Sequence, residues 1–369
     1  MSFRAVVLRE FGELNLDLLE VEERTEAIGG PDDEVEVELL AADLQPLDRQ
    51  IARGFLPDSG PLPMVTGVSA VARTTSGRVV VVLGELTGRG IGRDGLFAER
   101  LIVSPHQIAP VPSELDPRAV AAGAVIGMHA RHTLFEVAGA RRGQHVLVLG
   151  ANGGFGHAVV ATAHSEGLHV IAAARRPGEV DAPAGVTVLP LDDLAALAPT
   201  VKELTGGHGV DVIVDPLGGA VTGASVRAGA RACRHVLLGH AAGVEASVPV
   251  PAMMLGEHRL LGVNGFLIPV SDQHAYLREA LVDMVAGHHR PRIAASFDLG
   301  DAAAAYAQAG SATGRTLLIG AALADAAPLE QRAAAASPAP GRHDHDHDHD
   351  HGHEHRHEHG HEQGHEHEH

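Results

Sequence analysis

The stretch His145–His157, HVLVLGANGGFGH, constrains this chain more than any other. An apolar run ends in Gly150, and Gly153, Gly154 and Gly156 follow within six residues. The pattern reads as a buried strand, a tight turn and the first turn of a helix. Glycine lets the backbone approach a ligand closely, and the free N–H groups of a helix N-terminus favour negative charge. The turn therefore suits the pyrophosphate of a dinucleotide. The register is Ala151-x-Gly153-x-x-Gly156, with alanine in the first glycine's place. On this reading the cradle is Gly150, Ala151, Asn152, Gly153, Gly154, Phe155 and Gly156. An ordinary strand–turn–helix would show the same local pattern.

The residues downstream narrow the choice. Glu166-Gly167 ends the helix, and Leu168–Ala174 reads as a second strand closed by Arg175 and Arg176. NAD-specific sites place an acidic residue there for the ribose 2′-OH. Two guanidiniums suit a 2′-phosphate instead, which favours NADPH; the alternative is that they are merely solvated.

Beyond this point strands and helices alternate. Gly185–Leu189, Val210–Val214, His235–Gly239 and Leu260–Val263 read as strands, with helices at about 191–205 and 219–229. Six short apolar strands separated by helices predict an α/β fold with a doubly wound parallel sheet, whose ligands bind beyond the carboxyl ends of the strands. Those ends carry Gly150, Arg175, Asp215–Gly219, Gly239-His240 and Asn264-Gly265. Residues 1–118 are β-rich and irregular, with Val35–Leu40 and Arg78–Leu83 as clear strands; 119–141 reads as helical.

Composition removes several function classes. Outside residues 343–369 the balance is 27 basic against 38 acidic residues, a poor match to nucleic acid. Cys233 is the only cysteine, so no internal disulfide forms and no cysteine-based zinc cluster is possible; this suits the reducing cytoplasm. The N-terminus lacks a signal-peptide apolar core, and no run of 18 apolar residues points to a membrane span.

Several segments, in order, are similar to the medium-chain dehydrogenase/reductase superfamily, specifically its zinc-independent quinone oxidoreductase branch. Arg4–Gly12 resembles the opening strand and turn, and Gln45-Pro46-Leu47-Asp48 with Arg53-Gly54 resembles the Asn-Pro-x-Asp … Arg-x-Gly segment. Asp94–Glu99 resembles the Gly-Gly-Tyr-Ala-Glu turn, and Val210–Gly219 the Val-Asp-Val-Val-Asp-x-Val-Gly-Gly stretch. Gly314-Arg315 stands where the family closes with Gly-Lys. The resemblance runs from Arg4 to Gly320. It implies a GroES-like β-rich catalytic domain, residues 1–119 and 268–320, and a Rossmann NADP-binding domain, residues 120–267. A linker, 321–342, and a His-rich disordered tail, 343–369, complete the expected organisation. Homodimers are frequent in this branch.

The departures from the family carry chemical meaning. Zinc-dependent relatives ligate metal through a cysteine where this chain has Gln45, and through Gly-His-Glu where it has Gly67-Val68-Ser69. A thiolate/imidazole site cannot form from these residues. The tyrosines of quinone-reducing relatives are replaced by Gln50 and Leu56. The resemblance therefore implies hydride transfer from NADPH to a quinone or an α,β-unsaturated carbonyl without active-site zinc. Such a reaction needs a hydrogen-bond donor for the developing oxyanion. Gln45 is the candidate donor, or else its amide ties down the adjacent loop. His129 stands where relatives have a small hydroxyl residue, and serves either as a proton donor or as a buried structural histidine. Asp48 reads as the partner of a backbone N–H, and Arg53 as the partner of cofactor phosphate or of a surface acid. Gly239, His240, Asn264, Gly265 and Arg315 complete the expected cofactor contacts.

The tail is a separate element. His343, His345, His347, His349, His351, His353, His355, His357, His359, His361, His365, His367 and His369 alternate with nine acidic residues, and nothing apolar is present to bury. Neutral imidazoles are ligands for Zn²⁺ or Ni²⁺. The tail therefore reads as a divalent-metal site, the other readings being a solvated polyelectrolyte or an expression tag. Two further functions stay open on sequence alone: a metal-handling protein that uses the tail, and a redox-sensing binder of NADPH.

Overall fold

The computed structural model describes residues 2–13, 18–30, 33–55, 60–84, 94–311 and 313–324. The tail histidines and Leu56 lie outside the described residues.

The first half is built on β1 (Phe3–Leu8), β2 (Leu19–Arg24), β3 (Val35–Asp43), β4 (Met64–Val65), β5 (Ser69–Thr74), β6 (Val79–Leu83), β7 (Arg100–Val103) and β8 (Ile108–Pro110). A short helix, α1 (Pro46–Ala52), comes after β3, with proline in the first turn where its missing N–H costs nothing. Strands β2, β1 and β4 form one antiparallel sheet. The larger sheet runs β15-β16-β3-β5-β6-β8, with β7 also on β3; β15 (Ile293–Asp298) and β16 (Arg315–Ile319) return to it from the end of the described chain. Leu317 pairs with Asp43 and Ile319 with Ala41.

The second half contains β9 (His145–Leu149), β10 (His169–Ala174), β11 (Thr187–Pro190), β12 (Val210–Asp215), β13 (Gly229–Leu237) and β14 (Arg259–Gly262). All pairings are parallel, in the order β11-β10-β9-β12-β13-β14. This is the doubly wound order, with its switch point between β9 and β12. Val146, Leu147, Val148 and Leu149 are all fully buried because helices cover both faces. One face of Val146, Val148, Val170 and Ala172 packs under α2 (Pro117–Arg131) and α3 (Gly154–Ser165). The other, Leu147, Leu149, Ile171 and Ala173, packs under α4 (Leu194–Leu204) and α5 (Gly219–Ser225). Burying each such side chain stabilises the fold by about 1.5–3 kcal/mol relative to exposure.

Helix α2 serves both halves. Ile126 and Ala130 join the core of the parallel sheet, whereas Val120, Ala124 and Met128 pack on Leu40, Val71 and Val81 of the first half. Leu277 and Leu281 of α7 (Val270–Val285) join that second core; α6 (Val250–Gly256) precedes α7, and α8 (Ala302–Gln308) and α9 (Ala321–Ala324) come later.

Two elements differ from the sequence expectation. The helix expected over 119–141 is regular only to Arg131 and passes into a π-helical turn, His132–Val137. Strand β13 begins at Gly229 rather than His235. Its polar start, with Arg231 and Arg234, hides the strand from an apolar-run reading, and Ala232 there adopts a positive φ of 59°.

Candidate functional site

The turn after β9 is shaped by close backbone packing. Gly150 has φ +66°, and a Cβ there would meet Leu217 at 3.0 Å. A Cβ on Gly156 would stand 2.3 Å from the Gly150 carbonyl oxygen, so only glycine lets α3 approach the strand this closely. Gly153 is the N-cap of α3, and its N–H donates to the Gly150 carbonyl at 2.9 Å. Ala151 is fully buried and its N–H donates to the Ala173 carbonyl at 3.1 Å. Phe155 packs against the sheet core, and Asn152 is half-buried at the turn. The cradle fits a pyrophosphate: small residues, a helix N-terminus of a twelve-residue helix, and no acidic side chain within it.

Arg175 and Arg176 stand exposed at the carboxyl end of β10. Arg176 donates to Glu179 at 3.0 Å and to the Thr313 hydroxyl at 3.1 Å. Arg175 has no hydrogen bond or ion pair among the described residues. Arg315 is differently employed. Its Nε donates to both Asp43 carboxylate oxygens, at 2.9 and 3.1 Å, and its Nη2 also pairs with Asp43. Its stem lies over Gly154, whose Cβ would clash with Arg315 Cδ. The residue therefore links the first-half sheet to the glycine turn. Burial pushes the Asp43 carboxyl above its ordinary value, while the guanidinium pulls it back.

The loops after β12 and β13 pack backbone to backbone: a Cβ on Gly218 would meet the Gly243 carbonyl oxygen at 2.5 Å, and one on Gly239 the Pro216 oxygen at 2.3 Å. Asp215 anchors this region. Its buried carboxylate accepts from the backbone N–H of Leu217 and Gly218 and from the Thr222 hydroxyl, with His235 Nε2 at 3.2 Å. Burial opposes its charge, but these bonds outweigh burial and hold it below the usual carboxylate range. His240 is exposed and uses its ring: it stacks on Phe55 at 5.5 Å, and its Nε2 lies 3.3 Å from Gln50 Nε2. The two halves thus touch across the crevice.

Gln45, Ser69, His129, Gly265 and Gln273 line one small cavity with the apolar Val68, Leu83, Val125 and Met128. Gln45 Nε2 donates to the Ser69 hydroxyl at 2.8 Å. Asp48, fully buried, accepts from the backbone N–H of Gln45 at 2.8 Å and of Val68 at 3.1 Å. It therefore ties together the two loops that present Gln45 and Ser69. Burial pushes its carboxyl up to about 8. His129 lies against Gly265, where a Cβ would stand 2.8 Å from its Nε2. Burial, helped by His132, pushes the His129 imidazole down to about 4, so it is neutral at pH 7. It can offer a neutral N–H but not an imidazolium. Asn264 and Gly265 come after β14, and the Asn264 carbonyl accepts from Leu267 N–H. Arg53 is exposed beside Arg49.

Sequence reading missed the Asp43–Arg315 pair and the Gln50–His240–Phe55 contact. A buried aspartate closing the apolar run Leu39–Ala42 was the only available signal for the first.

At the position where the resemblance sets a metal in zinc-dependent relatives, this chain has Gln45, Val68 and Ser69. An amide, a valine and a serine hydroxyl already bonded to that amide replace thiolate and imidazole. Among the described residues no group of three or more His, Cys, Asp or Glu is placed to hold a metal, and no helix is long and apolar enough to cross a membrane.

A family model described as zinc-binding dehydrogenase matches residues 154–283. A highly reducing polyketide synthase of Cladosporium cladosporioides is 28% identical over 207 residues, which are 53% of this chain and 8% of that protein. The chain thus spans less than a tenth of that relative's length. A mycobacterial quinone oxidoreductase structure is similar with a TM-score of 0.73 at 21% identity, over 86% of this chain and 99% of that one. A mycobacterial structure solved with NADPH is similar with a TM-score of 0.74 at 20% identity, over the same shares. At this identity the two structures speak to fold. The family model covers less than half of the chain, so the comparisons establish a shared fold and a local likeness to zinc-binding dehydrogenases.

Proposed function

We propose that this chain is an NADPH-dependent oxidoreductase that reduces a quinone or an α,β-unsaturated carbonyl without active-site zinc. The observation that carries the reading is the placement of two features at one end of the parallel sheet. The glycine cradle stands at the switch point, and Gly265, which follows β14 at the same carboxyl end of the sheet, lines a small, mainly apolar cavity holding Gln45, Ser69 and His129. The bound cofactor would supply the hydride. Gly150–Gly156 would hold its pyrophosphate, and Arg175 and Arg176 would receive the 2′-phosphate, with Arg176 leaving Glu179 to do so. Gln45 would donate its second amide N–H to the acceptor's carbonyl oxygen as charge develops there, oriented by its bond to Ser69. Neutral His129 would serve as a second N–H donor, and water would deliver the proton. Val68, Leu83, Val125 and Met128 would exclude bulk water and favour an uncharged acceptor.

A homodimer formed through β14 also belongs to this reading. The strand is the edge of the parallel sheet, and Val250, Met254, Leu255, Leu260 and Leu267 around it are exposed. Cys233 is buried and its thiol is pushed up to about 12 by burial, so it is unreactive and suits a cytoplasmic setting. The test is NADPH and NADH oxidation across quinones, enals and enones, with wild type and R175A/R176A. Expected is turnover with NADPH and a selective loss of NADPH affinity in the variant, roughly 1–3 kcal/mol per charged hydrogen bond. Equal weakening of both cofactors would show that the arginines do not read the phosphate. No turnover of any acceptor would overturn the enzyme assignment.

A further inference from the structure

Strands β10, β9 and β12 begin with a polar row at the amino-terminal rim of the parallel sheet, the end opposite the crevice. The register sets His169 level with His145, and Val212 level with Val146, so Asp211 stands beside His145. Level residues on parallel neighbours share a face. That face is covered further along by α4, over Leu147, Leu149 and Ile171, but α4 ends at Leu204 and leaves the rim open. His169 is exposed and His145 half-buried, in a hollow also lined by His164 and Leu204. The two rings have centroids 4.9 Å apart and planes inclined by 30°. Neither imidazole has a hydrogen-bond partner among the described residues. The Asp211 carboxylate is held at the rim by the His145 backbone N–H at 2.9 Å.

We propose that His145 and His169 chelate one divalent transition-metal ion, Zn²⁺, Ni²⁺ or Cu²⁺, with water completing its shell. Metal–imidazole bonds of about 2.0–2.1 Å place each ring centroid about 3.2 Å from the ion. At ligand angles between square and tetrahedral, the two centroids then lie roughly 4.5–5.2 Å apart. The observed spacing falls inside that window. Asp211 adds negative charge beside the ion. His169, being exposed, is free to turn its ring without disturbing the core. The site would clasp β9 to β10 far from the crevice. It uses none of the thirteen tail histidines as ligands and does not depend on the proposed reaction.

The test locates the ion rather than counting ions, because the full chain also carries the tail. Crystals of the full chain soaked in Ni²⁺ should show an anomalous-scattering peak between the two rings, absent in H169N. A rim without the peak, or a peak that survives in H169N, overturns the proposal. In solution, Ni²⁺ should raise the Tm of wild type by roughly 2–4 °C more than that of H169N, since an ion held by two strands stabilises the folded state. Equal shifts in the two proteins also overturn it. The substitution is at an exposed position, so the variant retains the fold.

Discussion

Replacing Arg315 with methionine should destabilise the protein in a pH-dependent way. Asp43 is 1% exposed, and Arg315 meets both of its carboxylate oxygens. Methionine keeps the stem that covers Gly154 but removes the charge. An ionised carboxylate left alone in such a site costs about 3–5 kcal/mol. Protonation offers an escape that costs about 1.4 kcal/mol for each pH unit above the carboxyl's unfolded value, near 4. Burial already holds Asp43 above its ordinary value, and losing Arg315 removes what opposes it. A raised folded pKa contributes stability at low pH that is lost as pH rises, because the unfolded carboxyl ionises first. R315M should therefore be close to wild type near pH 4. It should fall behind by up to about 1.4 kcal/mol per unit above that, levelling at roughly 3–5 kcal/mol. In D43N/R315M, where no charge is buried, most of the loss should be recovered. Urea unfolding of the three proteins at pH 4.5, 6 and 7.5 measures this. An R315M deficit that is the same at all three values, or a double variant no better than R315M, would refute the electrostatic origin of the loss.

Three other outcomes are expected. G156A places a methyl 2.3 Å from the Gly150 oxygen, so it should cost about 1–3 kcal/mol of stability and weaken NADPH binding, read by thermal unfolding and calorimetry. His129 and His289 are both pushed down to about 4, by burial first and by a neighbouring histidine second. Depressed histidine pKa values mean that the two histidines' contribution is complete above pH 6.5 and lost as pH falls toward 4, by up to about 2.7 kcal/mol per unit for two protons, against which the raised Asp48 carboxyl returns about 1.4 kcal/mol per unit; stability that rises as pH falls from about 6.5 to about 4.5 refutes it. Calorimetric titration with Ni²⁺ should show more ions on the full chain than on one ending at Gly341, with release as pH falls through about 6.5; equal stoichiometry excludes the tail as a metal site.

Much of this protein was legible from short stretches of sequence. The parallel sheet announces itself because strands buried on both faces must be apolar throughout, as Val146–Leu149 and Val212–Val214 are. The glycine turn does so because positive φ and contact with a neighbouring backbone leave no room for a side chain at Gly150 and Gly156. What sequence left open was whatever depends on partners distant along the chain. Arg315 reads as a cofactor residue until the antiparallel pairing of β16 with β3 brings it to Asp43, 272 positions away. His240 reads only as a cofactor contact, and the fold sets its ring on Phe55 and beside Gln50. His129 has two readings, and only its burial beside Gly265 makes it neutral. Conformation of a turn is set by the residues in it. A side chain's charge and partners are set by the dielectric and the neighbours that folding assembles around it, and those are properties of the tertiary structure alone.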